Sequence, residues 1–250
     1  MTTMTAKPSL FAHVMGSIGS DIAAGVYPVG SNIPPEAGLC ERYGVSRSVL
    51  REVLRVLSQK GMLHARPKVG IRVRPEADWN LMDVEVLDWV WKAGRYGQHV
   101  DDFLGFRRIV EPAAARMAAT HATAEQRDTI ASLCAALEAS NERLQRLGGE
   151  GAGSPWLEAV EADLQFHGAI YESSGNGMLR YIGRLIVHMM RKQIAASTAA
   201  PGTFGQGIPF HRRLADSIAA GDAAAAFEAS DRIVVSAFDT AAESRSTIAG

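Results

Sequence analysis

The sequence holds little of what a disulfide-rich, secreted or membrane-spanning protein needs. Only two cysteines occur, Cys40 and Cys134, and their wide separation suggests neither a disulfide framework nor a zinc pair. No uninterrupted apolar run reaches membrane-spanning length, and the N-terminus lacks the charged-then-apolar order of a signal peptide. We therefore expect a globular, cytoplasmic protein that has no membrane partner.

Net charge is nearly absent as well, at −1 over 250 residues, but the two ends of the chain differ. Residues 1–74 hold ten Lys and Arg against four Asp and Glu, a balance of +6, which leaves 16 against 23, or −7, for the remainder. A basic head on an acidic body is the asymmetry expected when only the head contacts phosphate. Nucleic acid is therefore a candidate partner for the N-terminal part alone.

The basic head contains a helix with the pattern of a DNA-recognition helix. Apolar residues fall on one stripe, at Val49, Leu50, Val53, Leu54 and Leu57. The other face carries short polar and basic side chains. Because Arg can pair bidentately with guanine and Ser can bond phosphate, we expect the first turns of this helix to enter a DNA major groove. The residues on this helix predicted to contact DNA are Ser46, which can also cap the helix, Arg47, Ser48 and Arg51.

Two further segments turn this helix into a helix-turn-helix. A shorter helix at 34–43 joins the recognition helix through Gly44, at a position where a turn can demand positive φ. An earlier helix at 10–25 has apolar residues at three- and four-residue spacing. We expect that earlier helix to pack beneath the other two.

A β-hairpin is predicted after the recognition helix. Two short β-like runs, 62–66 and 71–74, flank a turn at 67–70 with a basic tip. This hairpin is the wing of a winged helix-turn-helix. Lys68 and Arg72 are predicted to contact phosphates or the minor groove, although charges on a hairpin can also serve only solubility.

The order of these residues closely resembles the winged helix-turn-helix of the GntR family of bacterial transcription regulators. The motifs that carry the resemblance are Gly25-x-Tyr27-x-x-Gly30, Ile33-Pro34-x-Glu36, Gly44-Val45-Ser46-Arg47 and Gly61-Met62-Leu63. The resemblance implies binding of double-stranded DNA. One position departs from it: Ala37 stands where some members carry an Arg, so the base contact attributed to that Arg is absent here.

The rest of the chain is predicted to be helical. The predicted domains are a winged head at 1–75, a linker with a short helix at 76–96, and an all-α domain at 97–250. Within the last domain, helices are predicted at 101–120, 123–147, 157–173, 178–199, 209–220 and 222–242. The predicted fold class is therefore mainly α, a winged helix-turn-helix with a small β-hairpin followed by a helical bundle.

Residues 84–91 in the predicted linker form an unusually apolar short helix. Such a segment must be buried, either across the second domain or against a partner subunit. A recognition helix of modest length also reads only one half-site. Both observations predict a two-fold homodimer on a palindromic operator.

Two side chains on the predicted helix 157–173 suggest a metal site. Asp163 and His167 lie four residues apart and so project from one face, and His211 near the start of a later helix could add a third ligand. This set suits a divalent cation such as zinc. From spacing alone the alternative remains open, because hydrogen-bonded Asp–His pairs of structural role are the commoner arrangement.

These residues resemble, in order, the helical FCD-type effector domain of the FadR subgroup of GntR regulators. The motifs are Arg107-x-x-Val110-Glu111, Asp163-x-x-Phe166-His167, Ser174-Gly175-Asn176 and His211-x-x-Leu214. The resemblance implies a divalent metal on Asp163, His167 and His211. The subgroup's fourth ligand position is Ile233 here, so effector oxygens or water would complete the shell, or His188 would substitute.

The segment Trp79-Asn80-x-x-Asp83 resembles the linker of sugar-acid regulators of the galactonate-operon repressor kind. That likeness implies a small carboxylate or sugar-acid effector. Arg107 then becomes the residue predicted to bind the effector carboxylate, for which a guanidinium fork is well shaped. Arg107 can instead form an i,i+4 ion pair with Glu111, and the sequence leaves both interpretations open.

The sequence thus predicts a ligand-responsive transcription regulator, and specifically a repressor that its effector releases from DNA. Two alternatives remain. One is a metal-dependent enzyme of the helical domain with a DNA-tethering head, and the other is a non-regulatory architectural DNA binder. Against the enzyme, the chain has no paired Glu-x-x-His motifs of a di-iron bundle and no recognisable nucleophile with a base partner.

Overall fold

The computed structural model describes residues 9–66, 70–147, 154–197 and 204–248. The chain divides into two compact units, Met1–His99 and Val100–Gly250. Helices dominate both units, and one two-stranded sheet occurs in the described part of the first. The predicted mainly α fold, with a winged helix-turn-helix before an all-helical domain, is confirmed. Among the described residues, no helix is both long and apolar enough to cross a membrane.

The described part of the first unit contains four α-helices and a hairpin. Its elements are α1 (Leu10–Ala23), α2 (Glu36–Tyr43), α3 (Arg47–Gln59), β1 (Leu63–Arg66), β2 (Gly70–Val73) and α4 (Val84–Val90). Gly44 ends α2 in the left-handed region at φ 63°, which turns the chain sharply into α3. The Ser46 hydroxyl caps α3 by accepting a hydrogen bond from the Val49 amide at 3.4 Å. The apolar faces of α1 and α3 meet in one core.

The hairpin has the antiparallel register expected of a wing. Leu63 lies opposite Val73, and Arg66 lies opposite Gly70. The loop before α2 adds to this sheet, since the Ile33 amide donates to the Ile71 carbonyl at 2.9 Å. The tip, 67–69, lies outside the described residues, and so does the predicted contact residue Lys68.

Helix α4 packs onto the first unit's own helices. Lys60, which follows α3, is buried, and its Nζ lies 2.5 Å from Asp83 and 2.8 Å from Glu85. Trp89 lies over α1 at Gly19, where a Cβ would come within 2.4 Å of the indole. The buried residues of the apolar segment, Val86, Trp89 and Val90, therefore pack in the core of the first unit, where Gly19 leaves room for the indole.

The second unit is helical throughout its described part. Its elements are α5 (Tyr96–His121), which belongs to this unit from Val100 onward, α6 (Ala124–Arg146), α7 (Ser154–Ser173), α8 (Gly177–Ser197), α9 (Ile208–Ala220) and α10 (Ala223–Ile248). Local residues define the breaks: Thr123 and Gln126 form a capping box at the start of α6. Gly175 at φ 71° turns the chain after α7, and Asn176 caps α8 by accepting from the Met178 amide at 2.9 Å.

The core of this unit lies in two adjoining clusters. Phe166 of α7 is fully buried and packs in one cluster with Leu214 of α9 and Ile233 of α10. Tyr171 of α7 and Ile186 of α8 belong to the other. Helix α7 contributes to both clusters, and its polar residues between them are consequently shielded from water.

Candidate functional site

The first turn of α3 presents the polar face predicted to read DNA. The side chains of Ser46, Arg47 and Ser48 are exposed. Ser46 and Ser48 also share a hydrogen bond between their hydroxyl oxygens at 2.9 Å. Arg47 forms no ion pair within the described part of the chain, so its guanidinium is available to an anionic partner.

Arg51 lies one turn further along α3 and is held by the preceding helix. Its Nε donates to Glu36 Oε2 at 3.0 Å, while 68% of the Arg51 side chain remains exposed. The next basic residue on this face, Arg55, pairs with Glu52 on its own helix, with Nε 2.9 Å from Oε2. Glu36 therefore orients Arg51 across the turn between α2 and α3.

The structure assigns Arg72 of the wing a structural contact. Its Nε donates to the carbonyl of Gly30, so the guanidinium lies over the loop that precedes α2. The residue stays exposed. Of the two predicted wing contacts, Arg72 thus supports the loop against the hairpin, and its terminal nitrogens remain at the surface.

Asp163, His167 and His211 meet in the second unit as the sequence predicts. All three are buried, at 7%, 3% and 5% exposure. Asp163 Oδ1 lies 3.1 Å from His211 Nε2 and 3.8 Å from His167 Nε2. The two Nε2 atoms lie 3.3 Å apart. We call these three residues the Asp–His–His cluster; it brings the i,i+4 pair on α7 against the first turn of α9.

Both histidines of the cluster have their outer nitrogen engaged. His167 Nδ1 lies 3.2 Å from Glu111 Oε2, and His211 Nδ1 lies 2.8 Å from the carbonyl of Gly207. A carboxylate and a carbonyl can only accept, so each imidazole carries its proton on Nδ1. In a neutral imidazole with this tautomer Nε2 carries the lone pair that binds a metal, whereas without a metal a proton on Nε2 can bond to Asp163 instead.

The charges around the cluster are strongly coupled. Burial opposes ionisation of Glu111, but Arg107 and His167 outweigh it and lower the pKa of Glu111 to about 2. Burial likewise opposes ionisation of Asp163, yet the bond from His211 and the charge of His167 lower its pKa. Burial favours neutral His167, but Glu111 raises the pKa of His167 overall. Asp163 and the neighbouring Glu111 therefore stay anionic, and their negative charge favours a cation at the cluster.

Arg107 is engaged by its neighbours. Its Nε lies 2.6 Å from Glu111 Oε1, and its two terminal nitrogens lie 3.4 Å from Glu111 Oε2 and 3.0 Å from Gln193 Oε1. The side chain is 2% exposed. Of the two interpretations that the sequence leaves open, the ion pair is present in the structure. An effector contact would use the N–H groups that these three contacts leave over.

Two other positions named from the sequence supply no ligand. Ile233 is buried in the apolar cluster with Phe166. His188 lies on α8 outside the Asp–His–His cluster, which contains all the clustered metal ligands found in the described part of the chain. Three protein ligands are therefore available to a cation.

The partners of the histidine Nδ1 atoms were not predicted from the sequence. Glu111 is recognisable there only as a partner for Arg107, at i,i+4 spacing on α5. Its bond to His167 depends on how α5 packs against α7. The Gly207 contact uses a backbone carbonyl just before α9, and because every residue has a backbone carbonyl, the sequence does not indicate which one is used.

Comparison with known proteins places both units in described families. The family model "Bacterial regulatory proteins, gntR family" matches residues 10–73, and the model "FCD domain" matches residues 102–236. Together these matches cover the winged head and the helices that carry the Asp–His–His cluster.

Full-length relatives have the same organisation. The uncharacterized HTH-type transcriptional regulator YieP of Escherichia coli K12 is 32% identical over 229 residues, covering 90% of this chain and 93% of that protein. The galactonate operon transcriptional repressor of the same strain is 29% identical over 225 residues, with the same shares covered. The solved structure of Lar, from work on the Listeria monocytogenes agr system, has a TM-score of 0.61 at 15% identity and covers 96% of this chain and 99% of that one, which supports the fold.

Proposed function

The chain belongs to the GntR family of bacterial regulators and carries an FCD domain, so it is a ligand-responsive, DNA-binding transcription regulator, and we propose that it is a metal-dependent repressor of a sugar-acid operon. In this proposal a homodimer binds a palindromic operator through its two winged heads. A small carboxylate, of the sugar-acid class, binds the helical domain and releases the operator. The proposal locates the protein in the cytoplasm and gives it no enzymatic activity.

For DNA, the proposed contacts are the exposed residues at the start of α3 together with the wing. Arg47 and Arg51 are assigned to base edges, since bidentate Arg–guanine pairs are the commonest specific contact. The remaining proposed contacts, Ser46, Ser48, Lys68 and Arg72, are assigned to phosphates. The exposure of Arg51 supports its role, because Glu36 orients the guanidinium without covering it.

For the metal, the observation that carries the proposal is the convergence of three acceptor atoms in a buried space. Asp163 Oδ1 and the Nε2 atoms of His167 and His211 lie 3.1 to 3.8 Å apart. Ligand bonds of roughly 2.0–2.1 Å in a tetrahedral site separate the ligand atoms by about 3.3 Å. Three acceptors this close repel one another unless a proton or a cation lies between them.

The donor set therefore fits a divalent ion such as zinc, and its chemistry explains a carboxylate effector. When bound, the ion would supply a positive charge that attracts carboxylate or hydroxyl oxygens. Ile233 at the subgroup's fourth ligand position leaves room in the coordination shell for such oxygens. Arg107 is proposed to bind the effector carboxylate with its remaining N–H groups.

The sugar-acid class is supported by the names of relatives. One relative is the galactonate operon repressor, and others are the Uxu operon and Exu regulon regulators of Escherichia coli K12. The competing proposal, a metal-dependent enzyme tethered to DNA, predicts turnover of a bound acid. Monitoring D-galactonate by NMR during incubation with the metal-loaded protein distinguishes the two.

The decisive experiment measures metal, effector and DNA binding on one set of variants. Wild-type protein purified without chelator should contain about one divalent ion per chain by elemental analysis, and D-galactonate or a related aldonate should raise its melting temperature. His167→Ala should lose both properties and still bind operator. The matched control is His188→Ala, which removes a histidine outside the Asp–His–His cluster and should keep both.

Two further measurements test the proposed role of Arg107 and the proposed dimer. Arg107→Ala should abolish the effector response while the metal content stays unchanged, whereas loss of folding would favour a structural ion pair with Glu111. Light scattering should give a dimer at micromolar concentration. A metal-free wild-type protein that responds normally to the acid after chelation would overturn the metal site.

A further inference from the structure

Tyr171 is a buried residue with a polar hydroxyl that has no role in the proposed metal and effector contacts. It lies four residues after His167, which itself lies four residues after Asp163, so the three occupy successive turns of one side of α7. Only 3% of Tyr171 is exposed. A long helical side chain points back toward the helix N-terminus, which directs the ring toward the level of His167.

The ring of Tyr171 is fixed by the neighbouring helix. It lies directly over Gly183 of α8, where a Cβ would come within 2.3 Å of the ring carbon Cγ. No side chain but hydrogen fits at position 183 with the ring in this place. The packed ring cannot swing the hydroxyl out to water without opening α7 from α8.

The hydroxyl of this fixed ring has no hydrogen-bond partner among the described residues. Buried hydroxyls in native proteins nearly always have one, and an exception calls for an explanation such as a bound water or a functional role. Burial raises the pKa of Tyr171, so the group stays protonated and can donate. The Tyr171 hydroxyl is therefore a fixed hydrogen-bond donor without an acceptor among the described residues.

Two charged side chains of the second unit act on the Tyr171 hydroxyl. They are Glu111 and Arg107, and Arg107 is the residue proposed to bind the effector. The oxygens of Glu111 are already engaged by Arg107 and His167. Arg107 makes three of the five bonds that a guanidinium can donate. Arg107 and Tyr171 are therefore two buried residues with unused donors, and the charge of Arg107 acts on the Tyr171 hydroxyl.

We propose that Tyr171 is a specificity-determining residue of the effector site and that its hydroxyl donates to a hydroxyl oxygen of a polyhydroxy acid. The inference rests on the proposed function, because it presupposes an acid bound near Arg107. Tyr171 then selects among acids by the position of one hydroxyl group. Acids that lack this hydroxyl leave the buried donor unpaired and bind more weakly.

The proposal predicts opposite effects of Tyr171→Phe on stability and on binding. Without effector, the melting temperature should stay the same or rise, because no hydrogen bond is lost and a buried polar group is removed. The affinity for the preferred aldonate should fall about three- to tenfold, the usual range for one neutral hydrogen bond. The matched control is Tyr181→Phe on α8. Tyr181 is 63% exposed, so this substitution should change neither the melting temperature nor the affinity.

The test is calorimetric titration of metal-loaded wild type, Tyr171→Phe and Tyr181→Phe with D-galactonate, D-gluconate and the 2-deoxy and 3-deoxy forms of the better ligand. Support requires that one deoxy acid bind wild type and Tyr171→Phe with the same affinity, while the parent acid distinguishes them. Equal affinity of wild type and Tyr171→Phe for every acid would overturn the inference and assign the hydroxyl to water. So would a fall of several degrees in the melting temperature of effector-free Tyr171→Phe.

These failures differ from failure of the proposed function. If wild type binds none of the acids, the sugar-acid proposal fails and the role of Tyr171 fails with it. If wild type binds an acid and Tyr171→Phe binds it equally well, the effector site stands and only the assignment of Tyr171 is wrong.

Discussion

Glu111 on α5 lies 3.2 Å from His167 on α7, through its Oε2 and the histidine's Nδ1, and the same carboxylate pairs with Arg107. Gln193 on α8 continues this chain of contacts at the far side of Arg107. A buried polar chain therefore joins the residue proposed to bind the effector to the residues proposed to bind the metal. Such networks are sensitive to loss of one member, because the remaining buried groups are left unpaired.

Replacing Glu111 by Gln should weaken metal binding. Gln has the same size and can still accept from His167 Nδ1, but it lacks the charge that raises the basicity of the ring. Mutation of a residue that hydrogen-bonds to a metal ligand typically lowers metal affinity by about 10- to 100-fold. Competition with a chromophoric chelator measures the change. The control is Glu161→Gln, which changes an exposed carboxylate that pairs with Arg191. Equal metal affinities of the two variants would show that Glu111 does not support the metal ligands.

The same variant should change the acid stability of the metal-free protein. The pKa of Glu111 is about 2 in the folded state, below the ordinary value of about 4.3 in an unfolded chain. A carboxyl with a lowered pKa stabilises the fold above the unfolded value, and this stabilisation is lost as the pH falls from about 4.3 toward 2.

The ionised Glu111 carboxylate contributes up to about 3 kcal/mol to the free energy of unfolding, because its pKa differs by roughly two units between the folded and unfolded states. Urea unfolding in chelator at pH 5, 4 and 3 should therefore show a smaller loss of stability for Glu111→Gln than for wild type. The Gln variant starts from a lower absolute stability because Arg107 loses its partner. The slope against pH is the readout, and parallel slopes would contradict the assignment.

Arg51→Ala should weaken operator binding much more than non-specific binding. A bidentate contact to a base is worth about 1–3 kcal/mol of discrimination. Gel shifts on an operator obtained by in vitro selection, and on its scrambled duplex at one salt concentration, measure both. Arg55→Ala removes the next arginine on the same face, which pairs with Glu52, and should cost less. An equal loss on both duplexes would make Arg51 a phosphate contact.

The packing of α4 predicts opposite effects at two helical glycines of the first unit. Gly19→Ala places a Cβ within 2.4 Å of the Trp89 indole, whereas a Cβ at Gly38 meets nothing within 4 Å. Overpacking typically costs about 1–3 kcal/mol, and Gly to Ala in an open helical position gains roughly 0.5–1 kcal/mol. Thermal unfolding followed by Trp fluorescence should show Gly19→Ala destabilised and Gly38→Ala unchanged or stabilised. A harmless Gly19→Ala would mean that Trp89 does not hold α4 on α1.

The sequence by itself determined those features that depend on neighbours along the chain. Helical periodicity predicted the ends of the helices in both units to within six residues. The caps at Ser46 and Thr123 are local bonds that a short motif specifies. The winged helix-turn-helix, the FCD-type domain and the family were predicted from motif order and are confirmed. The i,i+4 spacing also gave Asp163 and His167 a common face, because helix geometry alone fixes it.

Tertiary structure decided whatever depends on which helix packs beside which. It brought His211 of α9 to within 3.1 Å of Asp163 on α7, a contact that the motif resemblance implied but that helical spacing alone does not predict. It joined Glu111 to His167, and it buried Tyr171 with its ring over Gly183. It also placed the indole of Trp89 on α1 at Gly19. These contacts follow from shape complementarity between distant segments, which residue spacing along one helix does not encode.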